Sequence, residues 1–227
     1  MSDVTAVSPA TPREAFDLLL AGNRRFAAGT PRHPNQDAAR RADTVAAQHP
    51  HTVLLGCSDS RLAAEIIFDQ GLGDLFVVRT AGHAVGSEVL GSIEYGVSVL
   101  DCPLVVVLGH DACGAIAATR AAVQDGTPAP GFLRDVIERV TPSVLAARAS
   151  GETENDGFVD THVRHTVDLL LDRSRDLADH VAAGRVAVVG LSYRLADGDA
   201  RLVTARGLDL PSEQDQDQDQ KQVQKQG

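Results

Sequence analysis

Residues 103–109 read PLVVVLG, an uninterrupted run of aliphatic and β-branched residues that is followed at once by a histidine, an aspartate, an alanine and a cysteine. Three more runs of this kind occur in the chain: TVLLG at 52–56, LFVVR at 75–79 and RVAVVGL at 185–191. Continuous apolar runs, rather than alternating ones, are typical of strands buried on both faces of a parallel sheet. The chain is therefore predicted to contain a mainly parallel β-sheet.

Helical segments separate these runs, and this alternation predicts an α/β fold with helices flanking the sheet. The predicted helices are AAEIIFDQG at 63–71, SEVLGSIEYGVSVL at 87–100, CGAIAATRAAVQ at 113–124 and THVRHTVDLLLDRSRDLADHVAAG at 161–184. A last strand, ARLVTARG at 200–207, follows a tight turn and is expected to lie antiparallel at the sheet edge. Residues 125–158 are interpreted as a helical insertion, FLRDVIERVTPSVLAARA, that is followed by the loop GETENDG.

An N-terminal helical arm is predicted to begin at Thr11, which is followed by Pro12 and, three residues after the threonine, by Glu14. Its apolar stripe could pack on the core of its own chain or clasp a partner subunit. We expect residues 1–11 to be flexible and 12–210 to form a single α/β domain. The low-complexity tail at 211–227 alternates glutamine with aspartate or lysine, and we expect it to be disordered.

The bulk composition excludes several classes of protein. The chain has 227 residues, of which 43% are hydrophobic, enough to bury one sizeable core. A formal net charge of -10 argues against nucleic acid or an anionic membrane as a partner. Three cysteines without regular spacing do not fit a disulfide framework, and no apolar stretch is long enough to span a bilayer. A cytoplasmic protein is therefore expected.

Metal-binding side chains follow two of the apolar runs at the points where those runs end. Cys57 follows the first run, and His110 and Cys113 follow the third. Because reactive groups collect at the carboxyl ends of parallel strands, these side chains converge if the two strands are neighbours. Two thiolates and one imidazole suit zinc, and three protein ligands leave a fourth position for a reacting water. The sequence therefore predicts a catalytic zinc site, which makes 12–210 a single zinc-binding α/β catalytic domain.

An aspartate and an arginine come two and four residues after Cys57. In an ordinary loop, Asp59 and Arg61 would form a weak surface ion pair. In a catalytic site, Arg61 would bind Asp59 through two hydrogen bonds and orient it to accept a hydrogen bond from a water on the zinc. Released from Arg61, Asp59 could instead take the fourth zinc position itself. The two roles are compatible as an open and a closed state.

Other interpretations of the same cysteines remain open. Cys57 could be a nucleophile with His110 as its base, but Cys113 would then have no role. A redox pair of Cys57 and Cys113 would lack the C-x-x-C spacing and leave His110 unused. A structural zinc would need a fourth ligand, and Cys102 lies at the opposite end of its run from His110. A zinc-folded binding module without activity is a further alternative, against which the intact aspartate–arginine pair argues.

These motifs resemble those of the β-class carbonic anhydrases. The similarity covers roughly residues 22–207 and is carried by GNRRF at 22–26, CSDSR at 57–61, GDLFVVR at 73–79, GSIEY at 91–95 and GHDACGA at 109–115. The resemblance implies reversible hydration of carbon dioxide to bicarbonate and a proton. It also implies zinc bound by Cys57, His110 and Cys113, with Asp59 and Arg61 as the catalytic pair. Relatives on this scaffold also hydrolyse carbonyl sulfide or carbon disulfide, which is the nearest enzymatic alternative.

The same resemblance implies four substrate-binding residues. Gln48 matches a glutamine that hydrogen-bonds to the substrate, Phe76 and Tyr95 match residues that line an apolar carbon dioxide pocket, and Gly114 contributes its backbone. Without the resemblance, Phe76 and Tyr95 would be interpreted as core residues. In the family these groups meet across a dimer interface. The resemblance therefore implies a homodimer or homotetramer in which Gln48 and the pocket residues come from different subunits.

Several positions depart from the family pattern. His83 stands where an asparagine is usual; it could relay a proton, or simply fill the place of the asparagine in a turn. Some members bind inhibitory bicarbonate with a tryptophan, an arginine and a tyrosine. Arg79 and Tyr193 match the last two, but Leu54 occupies the tryptophan position and the chain contains no tryptophan. We therefore expect this inhibitory site to be incomplete.

Overall fold

A computed structural model describes residues 9, 11–126 and 129–208 of the chain. The expected flexible N-terminus, apart from residues 9 and 11, and the expected disordered tail lie outside the described residues. The described part contains a five-stranded sheet whose strands are β1 (Thr52–Cys57), β2 (Leu75–Thr80), β3 (Leu104–His110), β4 (Ala187–Tyr193) and β5 (Ala200–Arg206). The spatial order is β2-β1-β3-β4-β5. The first four strands are parallel and β5 is antiparallel to β4, which confirms the predicted sheet.

The middle of the sheet is formed by the strands with the most continuous apolar sequence. Every residue of β1 and of β3 is buried, because helices cover both faces there. The two strands pair directly, and Gly56 lies opposite Leu108 in their register. Their carboxyl ends are therefore adjacent, which is the condition under which the predicted ligands converge.

The described part contains eight α-helices and one short 3₁₀ turn, Ala81–His83. The α-helices are α1 (Pro12–Ala27), α2 (Ala38–Asp43), α3 (Ala64–Ile67), α4 (Ser87–Ser98), α5 (Gly114–Asp125), α6 (Leu133–Ala149), α7 (Asn155–Arg173) and α8 (Arg175–Ala182). The predicted capping box of α1 is present, since Thr11 and Glu14 each accept a hydrogen bond from the other's backbone N–H. Most predicted helices are thus confirmed, with three differences in their boundaries.

The three differences have local causes. Helix α3 is shorter than predicted because Asp69, at a φ of 47°, leaves the helix and binds the backbone amides of Arg32 and His33. The helix predicted over 161–184 divides at Ser174, whose hydroxyl accepts a hydrogen bond from the Leu177 amide and caps α8. The segment predicted as the loop 151–157 already contains the start of α7.

Helix α1 packs on its own chain, which was one of the two alternatives for the helical arm. The Asn23 side-chain amide donates to the carbonyls of Ile67 and Gly198, at 3.2 and 2.8 Å, and its oxygen accepts from the Ala200 amide. A Cβ on Gly22 would lie 1.8 Å from the Phe68 carbonyl oxygen, so the helix approaches α3 as closely as glycine allows. Residues far apart in sequence are joined by these contacts.

Helix α7 lies close against the middle of the sheet because two strand residues have no side chain. A Cβ on Gly109 of β3 would lie 2.5 Å from one methyl carbon of Val163. A Cβ on Gly190 of β4 would lie 2.4 Å from the other methyl carbon of the same valine. Such distances are shorter than any packed side chain tolerates. The close packing fixes α7 beside the end of β3, and the residue before Val163, His162, comes to lie near the carboxyl end of β1.

Candidate metal centre

Three side chains converge at the carboxyl ends of β1 and β3. Cys57 is the last residue of β1, His110 is the last residue of β3, and Cys113 is the cap residue before α5. Their potential ligand atoms all lie within 4.8 Å of one another, and all three residues are buried. The convergence predicted from the strand ends is therefore present.

The hydrogen bonds of His110 leave one ring nitrogen free for a metal. Its Nδ1 lies 2.7 Å from the carbonyl oxygen of Asp111. A carbonyl only accepts, so Nδ1 carries the proton and Nε2 has a lone pair. Nε2 is buried and has no hydrogen-bond partner among the described residues. A backbone carbonyl behind one nitrogen and a vacant lone pair on the other is the usual arrangement of a metal-binding histidine.

The two thiols form a close pair. The Cys57 Sγ accepts a hydrogen bond from the Gly82 amide at 3.3 Å. The pKa of Cys57 is lowered well below its usual value, mainly because the Cys113 thiol hydrogen-bonds to its thiolate. The pKa of Cys113 is raised for the complementary reason, since its proton is shared with Cys57. A metal cation in this position would replace the shared proton and allow both sulfurs to be thiolates.

These donors fit zinc. Two soft sulfurs and one imidazole nitrogen match the ligand set of a catalytic zinc with three protein ligands. Cys102 is not close to them: it lies before β3, and its Sγ contacts the Pro50 carbonyl oxygen at 3.1 Å. Burial raises the pKa of Cys102 to about 12, so it remains a neutral thiol. The fourth ligand that a structural zinc needs is therefore not supplied by Cys102.

Asp59 and Arg61 are bound to each other beside these ligands. The arginine Nε donates to Asp59 Oδ1 at 2.9 Å, and a second guanidinium nitrogen donates to Oδ2 at 2.6 Å. The Arg61 backbone amide also donates to Oδ1. These hydrogen bonds hold the pKa of the Asp59 carboxyl well below its usual range. Asp59 is thus an ionised acceptor that is held by Arg61. It does not belong to the group formed by Cys57, His110 and Cys113 in the described part of the chain.

Comparisons with known proteins agree with this site. A family profile described as carbonic anhydrase matches residues 52–200. The chain is 55% identical over 191 residues to carbonic anhydrase 2 of Mycobacterium tuberculosis, which covers 84% of this chain and 92% of the relative. The chain belongs to the β-carbonic anhydrase family.

Solved structures share the fold of this β-carbonic anhydrase. The Coccomyxa β-carbonic anhydrase, solved with acetazolamide, is 25% identical with a TM-score of 0.64 and covers 82% of this chain and 86% of its own. The chain also shares its fold with tetrameric β-carbonic anhydrases of Sordaria macrospora. That match is 22% identical, has a TM-score of 0.63 and covers 84% of this chain and 98% of the other.

The four substrate-binding residues implied by the resemblance do not all lie together in one chain. Gly114 begins α5 directly after Cys113. Phe76 and Tyr95 contact each other, with 5.9 Å between ring centroids, but Phe76 pairs with Val53 and so lies about 13 Å along β1 from its last residue. Gln48 is exposed in the segment before β1, toward the opposite end of the strand from the ligands. Within one subunit, only Gly114 adjoins the metal-binding residues.

Arg79 has a role at the site that the sequence did not reveal. Its Nε donates to the Cys57 carbonyl at 3.0 Å, and its terminal nitrogen donates to the Asp59 carbonyl at 2.6 Å. The sequence associated Arg79 only with the inhibitory bicarbonate site. In the structure it braces the backbone that carries both Cys57 and Asp59.

His83 is poorly placed to relay protons. It is 1% exposed, and neither ring nitrogen has a hydrogen-bond partner in the described part of the chain. Burial lowers its pKa well below the usual value, so the ring resists protonation near neutral pH. Its ring stacks on that of His162, with centroids 4.2 Å apart. The packing role is therefore better supported than the relay.

We expect acid to destabilise the protein through these two histidines. Burial lowers the pKa of His162 to about 4 and that of His83 in the same direction. In the unfolded chain both would titrate near 6.5, so below that pH the unfolded state binds more protons. The free energy of unfolding should be level above about pH 7 and fall from pH 6.5 to pH 4, by about 3 kcal/mol for His162 alone.

Urea unfolding at a series of pH values would measure this dependence. His162→Gln should reduce the slope below pH 6.5, because it removes one buried titrating ring. His49→Asn, at an exposed histidine, should leave the slope as in the parent protein. Equal slopes in the parent and in His162→Gln would contradict the expectation.

Proposed function

We propose that this protein catalyses the reversible hydration of carbon dioxide to bicarbonate and a proton, with zinc bound by Cys57, His110 and Cys113. The proposal depends on one observation above all: these three donors converge, with a free lone pair on His110 Nε2, beside the Asp59–Arg61 pair. When bound, zinc supplies a Lewis acid that makes a water molecule acidic near pH 7. The remaining chemistry is performed by the side chains around it.

Asp59 orients the attacking water. An ionised carboxylate can only accept hydrogen bonds, so the water must point its proton at the aspartate and its lone pair away from it. The two hydrogen bonds from Arg61 fix the plane of the carboxylate and therefore the direction of that lone pair. Orientation of this kind lowers the barrier because the attack geometry is reached before the reaction begins.

Carbon dioxide is apolar and needs an apolar wall, for which Phe76 and Tyr95 are suited. Their rings contact each other, and Tyr95 is 46% exposed, so this surface is free in the isolated chain. The side-chain amide of Gln48 can donate a hydrogen bond to a substrate oxygen and select its orientation. The separation of Gln48 from the metal-binding residues within one subunit supports a site that is completed by a second copy of the chain.

Stopped-flow measurement of carbon dioxide hydration tests the proposed activity. The zinc-loaded protein should hydrate carbon dioxide far faster than the Cys57→Ala variant prepared in the same way. A parent protein that is no faster than this variant would refute the enzymatic function.

A homodimer or homotetramer is part of the same proposal. Among the described strands β2 pairs with β1 alone, so the other edge of β2 is open. Phe76 lies in this strand, and Tyr95 contacts Phe76. Two-fold assembly would place equivalent residues of each chain against the other. The Gln48 of one subunit would then reach the metal-binding residues of its partner.

Mixed subunits offer a direct test of this shared site. Gln48→Ala and Cys57→Ala chains should each be inactive alone. Refolded together in equal amounts, they should recover about a quarter of the parent activity, because half of the dimers are mixed and each has one complete site. A mixture of Cys57→Ala and Cys113→Ala chains should recover nothing, since every site then lacks a ligand. Equal activity in the two mixtures would contradict a shared site.

Bicarbonate should not inhibit this enzyme cooperatively. Leu54 is buried in β1 at the position of the family's tryptophan, and the Arg79 guanidinium donates to the backbone carbonyls of Cys57 and Asp59. Both observations support an incomplete inhibitory site. Titration with bicarbonate at constant ionic strength should give a Hill coefficient of about 1. A sigmoidal loss of activity would show that bicarbonate binds at an inhibitory site built from other residues.

We also propose a cytoplasmic location. All three cysteines are buried and free of disulfide bonds, which suits a reducing compartment. Separately, the described part of the chain contains no helix that is both long and apolar enough to cross a membrane.

A further inference from the structure

A line of hydrogen bonds connects the buried helix α7 to the metal ligand Cys57. The Nε2 of His162 lies 2.8 Å from the carbonyl oxygen of Gly82. The amide of the same glycine donates to the Cys57 Sγ at 3.3 Å. Gly82 is therefore held by His162 at its carbonyl and directed at the sulfur by its N–H.

The hydrogen bonds of His162 allow one tautomer. Because the Gly82 carbonyl can only accept, Nε2 must carry the proton. Burial lowers the pKa of His162 to about 4, so the ring is neutral and Nδ1 is an acceptor. The hydroxyl of Ser143, 2.6 Å from Nδ1, must then donate to the ring rather than to the Val140 carbonyl at 2.9 Å. Ser143 thereby keeps the donating N–H of His162 on the side of Gly82.

The turn that carries Gly82 needs such support. The backbone φ values of Gly82 and His83 are 61° and 42°, both in the left-handed region, which is unfavourable for histidine. A Cβ on Gly82 would lie 2.7 Å from the Cβ of Ala115, so only glycine fits between the turn and α5. The rings of His83 and His162 stack at an interplanar angle of 28°. A strained turn persists when its surroundings hold it, and here His162 provides a hydrogen bond and a stacking surface.

We propose that His162 is a positioning residue of the zinc site, which holds Gly82 so that its N–H hydrogen-bonds to the Cys57 sulfur and limits the charge that this sulfur donates to the metal. This inference rests on the zinc site proposed above and adds to it a residue of α7. The position of α7 is itself fixed relative to His110, because Val163 packs against Gly109.

The expected consequence has a definite direction. A hydrogen bond to a ligating thiolate withdraws electron density from the sulfur, and the partners of metal ligands typically change affinity or activity by about 10- to 100-fold. Without the Gly82 hydrogen bond, Cys57 would donate more charge, and the metal would be a weaker Lewis acid. Water at the site would then lose its proton at a higher pH.

Two polar substitutions separate the hydrogen bond from mere packing. In His162→Gln, the longer side chain can place an N–H near the position of Nε2 and reach Gly82. In His162→Asn, the amide ends near the position of Nδ1, so it can contact Ser143 but not Gly82. The two variants therefore differ in the hydrogen bond to the Gly82 carbonyl, while both side chains are polar and smaller than the histidine ring.

The Co²⁺-loaded proteins would report the charge on the two ligating sulfurs, of which only Cys57 accepts the Gly82 hydrogen bond. The sulfur-to-cobalt charge-transfer band should move to longer wavelength in His162→Asn and should stay near the parent position in His162→Gln. The midpoint of the kcat/KM profile of the zinc enzymes should rise in His162→Asn alone, with kcat/KM at pH 7 lower by about 10-fold. Val167→Ala, which shortens another buried side chain of α7, should lower Tm without moving the band or the midpoint.

The possible outcomes are distinct. Identical bands and midpoints in the Asn and Gln variants would overturn the role of His162. If neither variant folds, Ser143→Ala should produce a smaller shift in the same direction as that expected for His162→Asn, and no shift would overturn the proposal. A parent Co²⁺ protein without a charge-transfer band that depends on Cys57 would count against the zinc site itself and would overturn this inference with it.

Discussion

Cys113→Ala is expected to abolish zinc binding and to lower carbon dioxide hydration by at least about 1,000-fold. The variant removes one of three converging donors and leaves Cys57 and His110, two protein ligands where a catalytic zinc takes three. It also removes the thiol that hydrogen-bonds to Cys57, so the low pKa of that cysteine should rise. Zinc content per chain and stopped-flow activity, measured on the same preparation, would give both results.

Cys102→Ala is the matched control for this experiment. It also removes a buried thiol, but one whose sulfur contacts the Pro50 carbonyl at the other end of β3. It should retain the full zinc content and the parent activity, with at most a modest loss of stability. Zinc retained in Cys113→Ala, or lost equally in Cys102→Ala, would refute the assignment of the ligands.

Asp59→Asn is expected to lower kcat by about 100-fold while zinc stays bound. The substitution keeps the size of the side chain but replaces one acceptor oxygen with a donor, so a water at the site is no longer oriented by two acceptors. Arg61 would also lose the charged partner that both of its hydrogen bonds now engage. Zinc content measured beside kcat would separate this effect from loss of the metal.

Arg61→Lys tests the geometry rather than the charge of the pair. A lysine keeps the positive charge but cannot reproduce the planar two-bond contact with the carboxylate. Its kcat should therefore lie between those of the parent and of Asp59→Asn. A kcat equal to that of the parent would show that orientation of Asp59 by Arg61 is unimportant.

Much of the fold follows from local sequence. The continuous runs around Val53 and Val105 are short, rich in β-branched residues and without a polar face, which favours strands covered on both sides. Helix boundaries were less predictable where side chains act over a distance. Asp69 ends α3 because its carboxylate is bound by amides of a segment about 37 residues away in the chain, which no local pattern could indicate.

The metal centre shows the same division. Cys57, His110 and Cys113 were identifiable because soft donors at strand ends are uncommon in a buried sheet, and the register of β1 with β3 brings them together. His162 carried no such signal, since a histidine within a helix is ordinarily a surface or packing residue. Its hydrogen bond to Gly82 spans 80 residues of sequence and depends on the packing of α7.

The sequence by itself determined the sheet and singled out the candidate metal-binding donors and the aspartate–arginine pair, because these depend on residue type and on spacing along one strand or turn. Only the tertiary structure decided the state of those donors. The lowered pKa of Cys57 beside Cys113, and the N–H that Gly82 directs at the Cys57 sulfur, arise from contacts between segments that are distant in sequence. The lone pair on His110 Nε2 follows instead from the carbonyl of the next residue, Asp111. Burial and hydrogen-bond partners set the protonation state of a side chain, and these partners need only be neighbours in space.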